Sequence, residues 1–168
     1  ELSGRVKLSR FLVQPAASRG LRGLCEARRE AEDFTFEAAR AHLAQVQTQG
    51  SSLDELVRAH HDLGQVYSYR GQMSDSVQQL REALRIAAEN RTRVPALADA
   101  ERYLETILGV AELRRGEVEN CLQHPNADRC LFPLRKPGQH DLKSGSTEAI
   151  RHFERLLAAR PDDLEVRW

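Results

Sequence analysis

The sequence is poor in several features that would point to particular functions. Only 5% of its 168 residues are aromatic, with one tryptophan and one methionine. Its 25 basic and 25 acidic residues cancel, so bulk charge gives no reason to expect nucleic acid or an anionic membrane as partner. No apolar run approaches the roughly 20 residues that a membrane span needs. We therefore expect neither a nucleic-acid partner nor a membrane span.

Common catalytic and phosphate-binding motifs are also missing from the sequence. It contains no glycine-rich phosphate loop, no Gly-x-Ser-x-Gly elbow and no His-Glu-x-x-His pair, whose residue types and spacing carry specific chemistry. We therefore expect a protein that is not an enzyme, and we expect no cofactor unless the cysteines and histidines discussed below hold a metal.

Helix-forming residues dominate the chain from about residue 26 to residue 115. Apolar residues at spacings of three and four predict helices over 27–48, 52–70, 74–88, 96–115 and 146–159. Ser52 with Glu55 three residues later is a capping box, and Gly50 and Gly71 are placed to end helices. The pattern predicts an all-α domain over 26–168, with residues 1–25 as an N-terminal basic arm.

Two Leu-Gly pairs give the helices a repeating organisation. Leu63-Gly64 and Leu108-Gly109 are each followed by a glycine seven residues later, Gly71 and Gly116, and the two units are offset by 45 residues. In tetratricopeptide repeats, which are antiparallel helix pairs of about 34 residues, small residues stand where the helices cross. The chain resembles such repeats, which implies a short α-solenoid with Gly64 and Gly109 at crossings and Gly71 and Gly116 at turns.

The second repeat is interrupted by a long insert over 117–145. Its prolines, glycines and polar residues predict an ordered loop. Cys121 and Cys130 are nine positions apart, and a disulfide closing so short a loop is worth about 2.5–3 kcal/mol. Zinc or copper bound by Cys121, His124, Cys130 and His140 is an alternative, and free thiols are a third. Cys25 is expected to be a small buried residue.

Part of the chain resembles a more specific family. Asn120-Cys121, Cys130, Phe132-Pro133, Gly138-Gln-His140 and the closing Arg160–Trp168 segment are similar to the tetratricopeptide segment of secreted bacterial proteins. Those proteins also carry FG-GAP β-propeller repeats and an ASPIC/UnbV domain, as relatives of cartilage acidic protein do. The resemblance implies a longer parent chain, export to a secreted or periplasmic location, a β-propeller neighbour, and the disulfide rather than the metal. A cytoplasmic adaptor with reduced cysteines is the alternative.

The predicted function is therefore a non-catalytic helical-repeat module for protein–protein or interdomain binding. Stacked helix pairs present a concave face to a peptide or a neighbouring domain. The partner-binding groove is predicted from polar and aromatic residues on the first helix of each pair, namely His60, Gln65, Tyr69, Arg102, Glu105 and Glu112. The alternative is a metal-binding accessory or catalytic segment, with zinc or copper in the Cys/His insert.

Overall fold

The structure is a computed structural model that describes residues 20–126, 128 and 136–167. Within these ranges the chain is helical and contains no strand. A π-helical turn, Val118–Gln123, continues the fourth helix, and a 3₁₀ turn spans Lys136–Gly138. The α-helices are α1 (Gly20–Gln49), α2 (Leu53–Tyr69), α3 (Met73–Asn90), α4 (Ala96–Glu117), α5 (Ser144–Ala159) and α6 (Leu164–Arg167).

Each long helix packs against the next one in the sequence. The contacts run from α1 to α2, α2 to α3, α3 to α4 and α4 to α5, with a smaller contact between α2 and α4. Successive helices lie antiparallel. This arrangement confirms the predicted all-α fold of antiparallel helix pairs. The predicted loop insert over 117–145 is helical at its start, because α4 and its π-helical turn continue through residues 117–123.

Local signals in the sequence set where α1 and α2 begin and end. The Ser52 hydroxyl accepts a hydrogen bond from the Glu55 N–H at 3.2 Å, which caps the first turn of α2. Gly50 and Gly71 adopt φ values of +63° and +73° after α1 and α2. Glycine adopts this left-handed conformation without a steric penalty, which is why it commonly ends helices.

The core lies mainly between α2, α3 and α4. Leu80, Leu97, Leu104 and Leu108 are almost completely buried there. A second cluster joins α1 to α2 through Leu43, Val46, Ala59 and Leu63. Full burial of a leucine side chain contributes about 1.5–3 kcal/mol, so the apolar stripes that predict the helices also hold them together.

The glycines of the two Leu-Gly pairs lie at helix crossings, as predicted. A Cβ on Gly64 would stand 3.0 Å from Leu80 Cγ on α3, and one on Gly109 would stand 2.7 Å from Phe153 Cε1 on α5. The predicted role of Gly116 as a turn residue is wrong. Gly116 lies inside α4 and is buried, because the helix continues to Glu117 and its π-helical turn continues to Gln123.

The N-terminal helix begins earlier than its pattern predicts. α1 starts at Gly20, so the last residues of the predicted basic arm form its first turns, while residues 1–19 of that arm lie outside the described residues. Cys25 is exposed, which contradicts its predicted burial. The main packing partner of α1 is α2, and Cys25 lies on the side of α1 that faces outward.

Candidate functional site

Three glutamates on one face of α4 and its π-helical turn form ion pairs, and two of them, Glu105 and Glu112, join α4 to a neighbouring helix. Glu105, Glu112 and Glu119 recur every seven residues, which places them on the same side of a helix. Glu112 is 0% exposed and pairs with Arg81 of α3 and with Arg115, whose Nη2 is 2.8 Å away. Arg115 also binds Glu119 at 2.7 Å. Both oxygens of the buried carboxylate therefore have a cationic partner.

Glu105 makes the corresponding contact between α4 and α5. Its Oε1 accepts from His152 Nδ1 at 2.8 Å and from Arg155 Nη1 at 3.0 Å. Burial by itself raises the pKa of this carboxyl, but the hydrogen bonds and charges of His152 and Arg155 outweigh burial and leave the pKa below its ordinary value. Glu105 is thus held ionised as part of the α4–α5 contact.

The six residues predicted to line a partner-binding groove lie in different environments in the structure. Glu105 and Glu112 are in the ion pairs between helices, and His60 is buried with its Nδ1 2.8 Å from Gln79 Oε1. Tyr69 and Arg102 are exposed, and Gln65 is partly exposed. The six residues are therefore divided between the packed interior and the surface, and they do not form one open groove.

A different set of side chains forms an exposed partly apolar surface on α2 and α4. On α4, Tyr103, Val110 and Leu113 lie on one side of the helix and are 53%, 53% and 44% exposed. The Tyr103 ring lies 5.5 Å from the His61 ring of α2, and the Tyr103 hydroxyl is 3.4 Å from His61 Nε2. We call these four residues the α2–α4 face.

The surroundings of the α2–α4 face raise the pKa of Tyr103. Partial burial raises the pKa of its hydroxyl, and the nearby Asp62 carboxylate raises it further. His61 Nδ1 is 3.0 Å from Asp62 Oδ1. Tyr103, Val110 and Leu113 could be identified from the sequence, because their spacing forms a second apolar stripe on α4 beside the stripe that faces the core.

A buried asparagine closes the base of the insert. Asn120 donates from Nδ2 to the Gly116 carbonyl at 2.8 Å and to the Leu142 carbonyl at 2.7 Å. Its Oδ1 accepts from the Leu142 N–H at 3.1 Å. At the start of α5, the Gly145 backbone lies directly against α4. The insert therefore leaves and re-enters the helical stack at a fixed point.

The insert brings together two of its four predicted metal ligands. Cys121 Sγ lies 3.6 Å from His140 Nε2, and His124 Nδ1 donates to the Glu119 carbonyl at 2.8 Å. Cys130 lies outside the described residues, and so does the predicted Cys121–Cys130 bridge. Among the residues that the structure describes, no three histidine, cysteine or acidic side chains are grouped closely enough to hold a metal ion.

Comparison with known proteins found no match for this chain among protein-family models, curated proteins or solved structures. A search of the described helices for a segment long and apolar enough to cross a membrane found none.

Proposed function

We propose that this protein is a non-catalytic helical module that binds a protein segment, or a neighbouring domain of a longer parent chain, through the α2–α4 face. The observation that carries the proposal is the exposure of Tyr103, Val110 and Leu113 along one side of α4. Single exposed apolar residues are ordinary, but aligned ones beside polar groups are typical of interaction surfaces. His61 and Tyr103 supply hydrogen-bonding groups beside the apolar side chains.

The buried ionisable groups support a structural role over a catalytic one. Glu112 has both carboxylate oxygens occupied by Arg81 and Arg115, and Glu105 is occupied by His152 and Arg155. A general acid or base needs access to a substrate proton. In the proposed module these groups instead fix the helices, so that the side chains of the α2–α4 face keep a constant arrangement.

Site-specific photo-crosslinking tests the proposal. A photoreactive residue in place of Val110, expressed in the native host, is expected to give a discrete crosslinked product that Tyr103→Asp removes. The same photoreactive residue in place of Arg93, which is exposed in the connector before α4, is the control and should give no such product. Equal labelling at the two positions, or no product at Val110, would contradict binding through this face.

A metal site in the insert is the second candidate function, and the contact between Cys121 and His140 favours it. With metal–sulfur and metal–nitrogen bonds of about 2.3 and 2.0 Å, two ligands of a tetrahedral zinc ion lie roughly 3.5 Å apart. The 3.6 Å separation of Cys121 Sγ and His140 Nε2 agrees with that value. Two more ligands would be required, and His124 and Cys130 remain the predicted ones.

Thiol mapping and metal analysis separate the disulfide from the metal. If Cys121 and Cys130 are bridged, mass spectrometry without reductant finds them linked, and His140→Ala leaves the protein unchanged. If zinc or copper is bound, about one equivalent copurifies and His140→Ala releases it. We expect the bridge, and with it a secreted or periplasmic protein. Reduced thiols without metal would favour the cytoplasmic alternative.

A further inference from the structure

The α2–α4 face has a polar end at Tyr103 and an apolar end at Val110 and Leu113. Val110 follows Tyr103 by seven residues, which separates the two side chains by about 10 Å along α4. The Tyr103 ring is 53% exposed, and the side chain of Asp62, next to His61 on α2, is 44% exposed. A partner segment can therefore reach an aromatic ring and a carboxylate at one end of the face and aliphatic side chains at the other end.

His61 joins Asp62 and Tyr103 in one hydrogen-bonded group. Because a carboxylate only accepts, the 3.0 Å contact between His61 Nδ1 and Asp62 Oδ1 places a proton on Nδ1. In the neutral ring Nε2 is then the acceptor, and it lies 3.4 Å from the Tyr103 hydroxyl. The Asp62 carboxylate keeps its negative charge, which raises the pKa of Tyr103 in addition to the larger effect of burial. An exposed aromatic ring and a negative charge therefore lie close together.

The arginines next to these residues along α2 and α4 do not offset the charge of Asp62. Each of them is bound to a carboxylate of its own helix, at N–O distances of 2.6 to 3.4 Å. The pairs are Arg58 with Asp54, Arg102 with Asp99 and Arg114 with Glu117. Since each pair sums to zero, Asp62 makes this end of the face negative. A negative surface attracts a cationic group and disfavours an anionic one.

We infer that the α2–α4 face selects a partner segment that places an arginine or lysine side chain against Tyr103 and Asp62. A cation over the exposed ring is attracted by the negative face of the π system, and its N–H groups donate hydrogen bonds to the carboxylate. An apolar side chain of the same segment, about 10 Å away, packs on Val110 and Leu113. The inference rests on the proposed protein-binding function and specifies the chemistry of the partner.

Nuclear magnetic resonance titration with two capped tetrapeptides, acetyl-Arg-Ala-Ala-Leu-amide and acetyl-Leu-Ala-Ala-Arg-amide, tests this inference at pH 7.5 and constant ionic strength. In the polyproline II conformation the first and fourth side chains lie on one side, about 9 Å apart, and the two orders allow for either chain direction. We expect saturable shifts of the Tyr103 ring and of the Val110 and Leu113 methyl signals with at least one peptide. Replacing its arginine by citrulline, which has the same shape and no charge, should weaken the affinity about fivefold.

Two variants of the protein locate the recognition of the charge. Asp62→Asn keeps a hydrogen-bond acceptor for His61, so it should weaken binding of the arginine peptide about fivefold and leave the citrulline peptide nearly unaffected. Asp162→Asn, at an exposed aspartate in the turn after α5, is the matched control and should change neither affinity. Unchanged melting temperatures verify that both variants keep the fold.

Several outcomes would overturn the inference. Equal affinities for the arginine and citrulline peptides would do so, as would tighter binding of the corresponding glutamate peptide or an absence of shifts at millimolar peptide. Equal effects of Asp62→Asn and Asp162→Asn would show that Asp62 is not the carboxylate that selects the cation. If charge selectivity is absent while crosslinking at Val110 persists, the face binds a partner of other chemistry and only this inference is lost. If the arginine peptide binds selectively while Val110 crosslinking fails, the cation site stands and the proposed protein-binding function is wrong.

Discussion

Gly145→Ala is expected to destabilise the protein more than any other single-methyl change at a glycine. A Cβ at this position would stand 2.6 Å from the Glu112 carbonyl oxygen, 2.6 Å from Gly116 N and 2.8 Å from Gly116 Cα. All three are backbone atoms of α4, so no side chain can rotate away and the two helices must separate. We expect a loss of about 3 kcal/mol, at the upper end for overpacking, measured by urea unfolding.

Gly116→Ala is the matched control, since Gly116 faces Gly145 across the same contact. Its added Cβ would lie 3.4 Å from Ser146 N and 3.6 Å from Gly145 Cα, which are ordinary contacts. Alanine is the better helix former by about 1 kcal/mol, so this variant should be as stable as the wild type or more stable. Equal losses for the two variants would show that the helices do not meet as described.

Arg115→Met is expected to cause the second large loss of stability. The side chain of Arg115 is 16% exposed and binds two carboxylates, one of which, on Glu112, is fully buried. Removing the arginine leaves that carboxylate with Arg81 as its remaining cationic partner. Breaking a buried ion pair from one side costs about 3–5 kcal/mol. Because Arg81 still pairs with Glu112, we expect the free energy of unfolding, measured in urea, to fall by about 3 kcal/mol, the lower end of this range.

Arg85→Met provides the comparison for this prediction. Arg85 also binds two glutamates, Glu82 and Glu89, but all three side chains are substantially exposed. Solvent-exposed ion pairs contribute little to stability, so this variant should lose far less than Arg115→Met. The double variant Arg115→Met with Glu112→Leu removes the buried carboxylate together with its partner. If the double variant is more stable than Arg115→Met alone and close to the wild type, the loss in the single variant comes from the buried charge. Similar losses for the two single variants would contradict the burial of Glu112.

The periodicity of the sequence is sufficient to predict the helices because their apolar stripes also form the core. Ser52, Gly50 and Gly71 predict helix ends correctly because each acts through its own backbone or its nearest neighbours. The repeat spacing predicts a turn at Gly116, because Gly116 follows Gly109 at the same distance as Gly71 follows Gly64. Spacing alone does not distinguish a turn glycine from one that allows a neighbouring helix to approach.

The candidate site was harder to predict because it depends on contacts between distant residues. Glu105 and Glu112 are polar residues on a helix, which usually indicates an exposed face. Only the positions of His152 and Arg81 show that Glu105 is partly buried and Glu112 fully buried. The hydrogen bonds of Asn120 to Leu142 join residues 22 positions apart. The sequence also contains the apolar stripe of Tyr103, Val110 and Leu113. It is difficult to recognise because a stronger apolar stripe, which faces the core, lies on the same helix.

Hydrogen–deuterium exchange of the protein, alone and with the partner captured by crosslinking at Val110, tests the proposed function most directly. The proposal predicts slower exchange in α2 around His61 and in α4 between Tyr103 and Leu113, because a bound segment covers the α2–α4 face. Exchange in the insert between Asn120 and Leu142 should stay the same. Protection confined to the insert, with α2 and α4 unchanged, would contradict the proposal and place the functional site at Cys121 and His140.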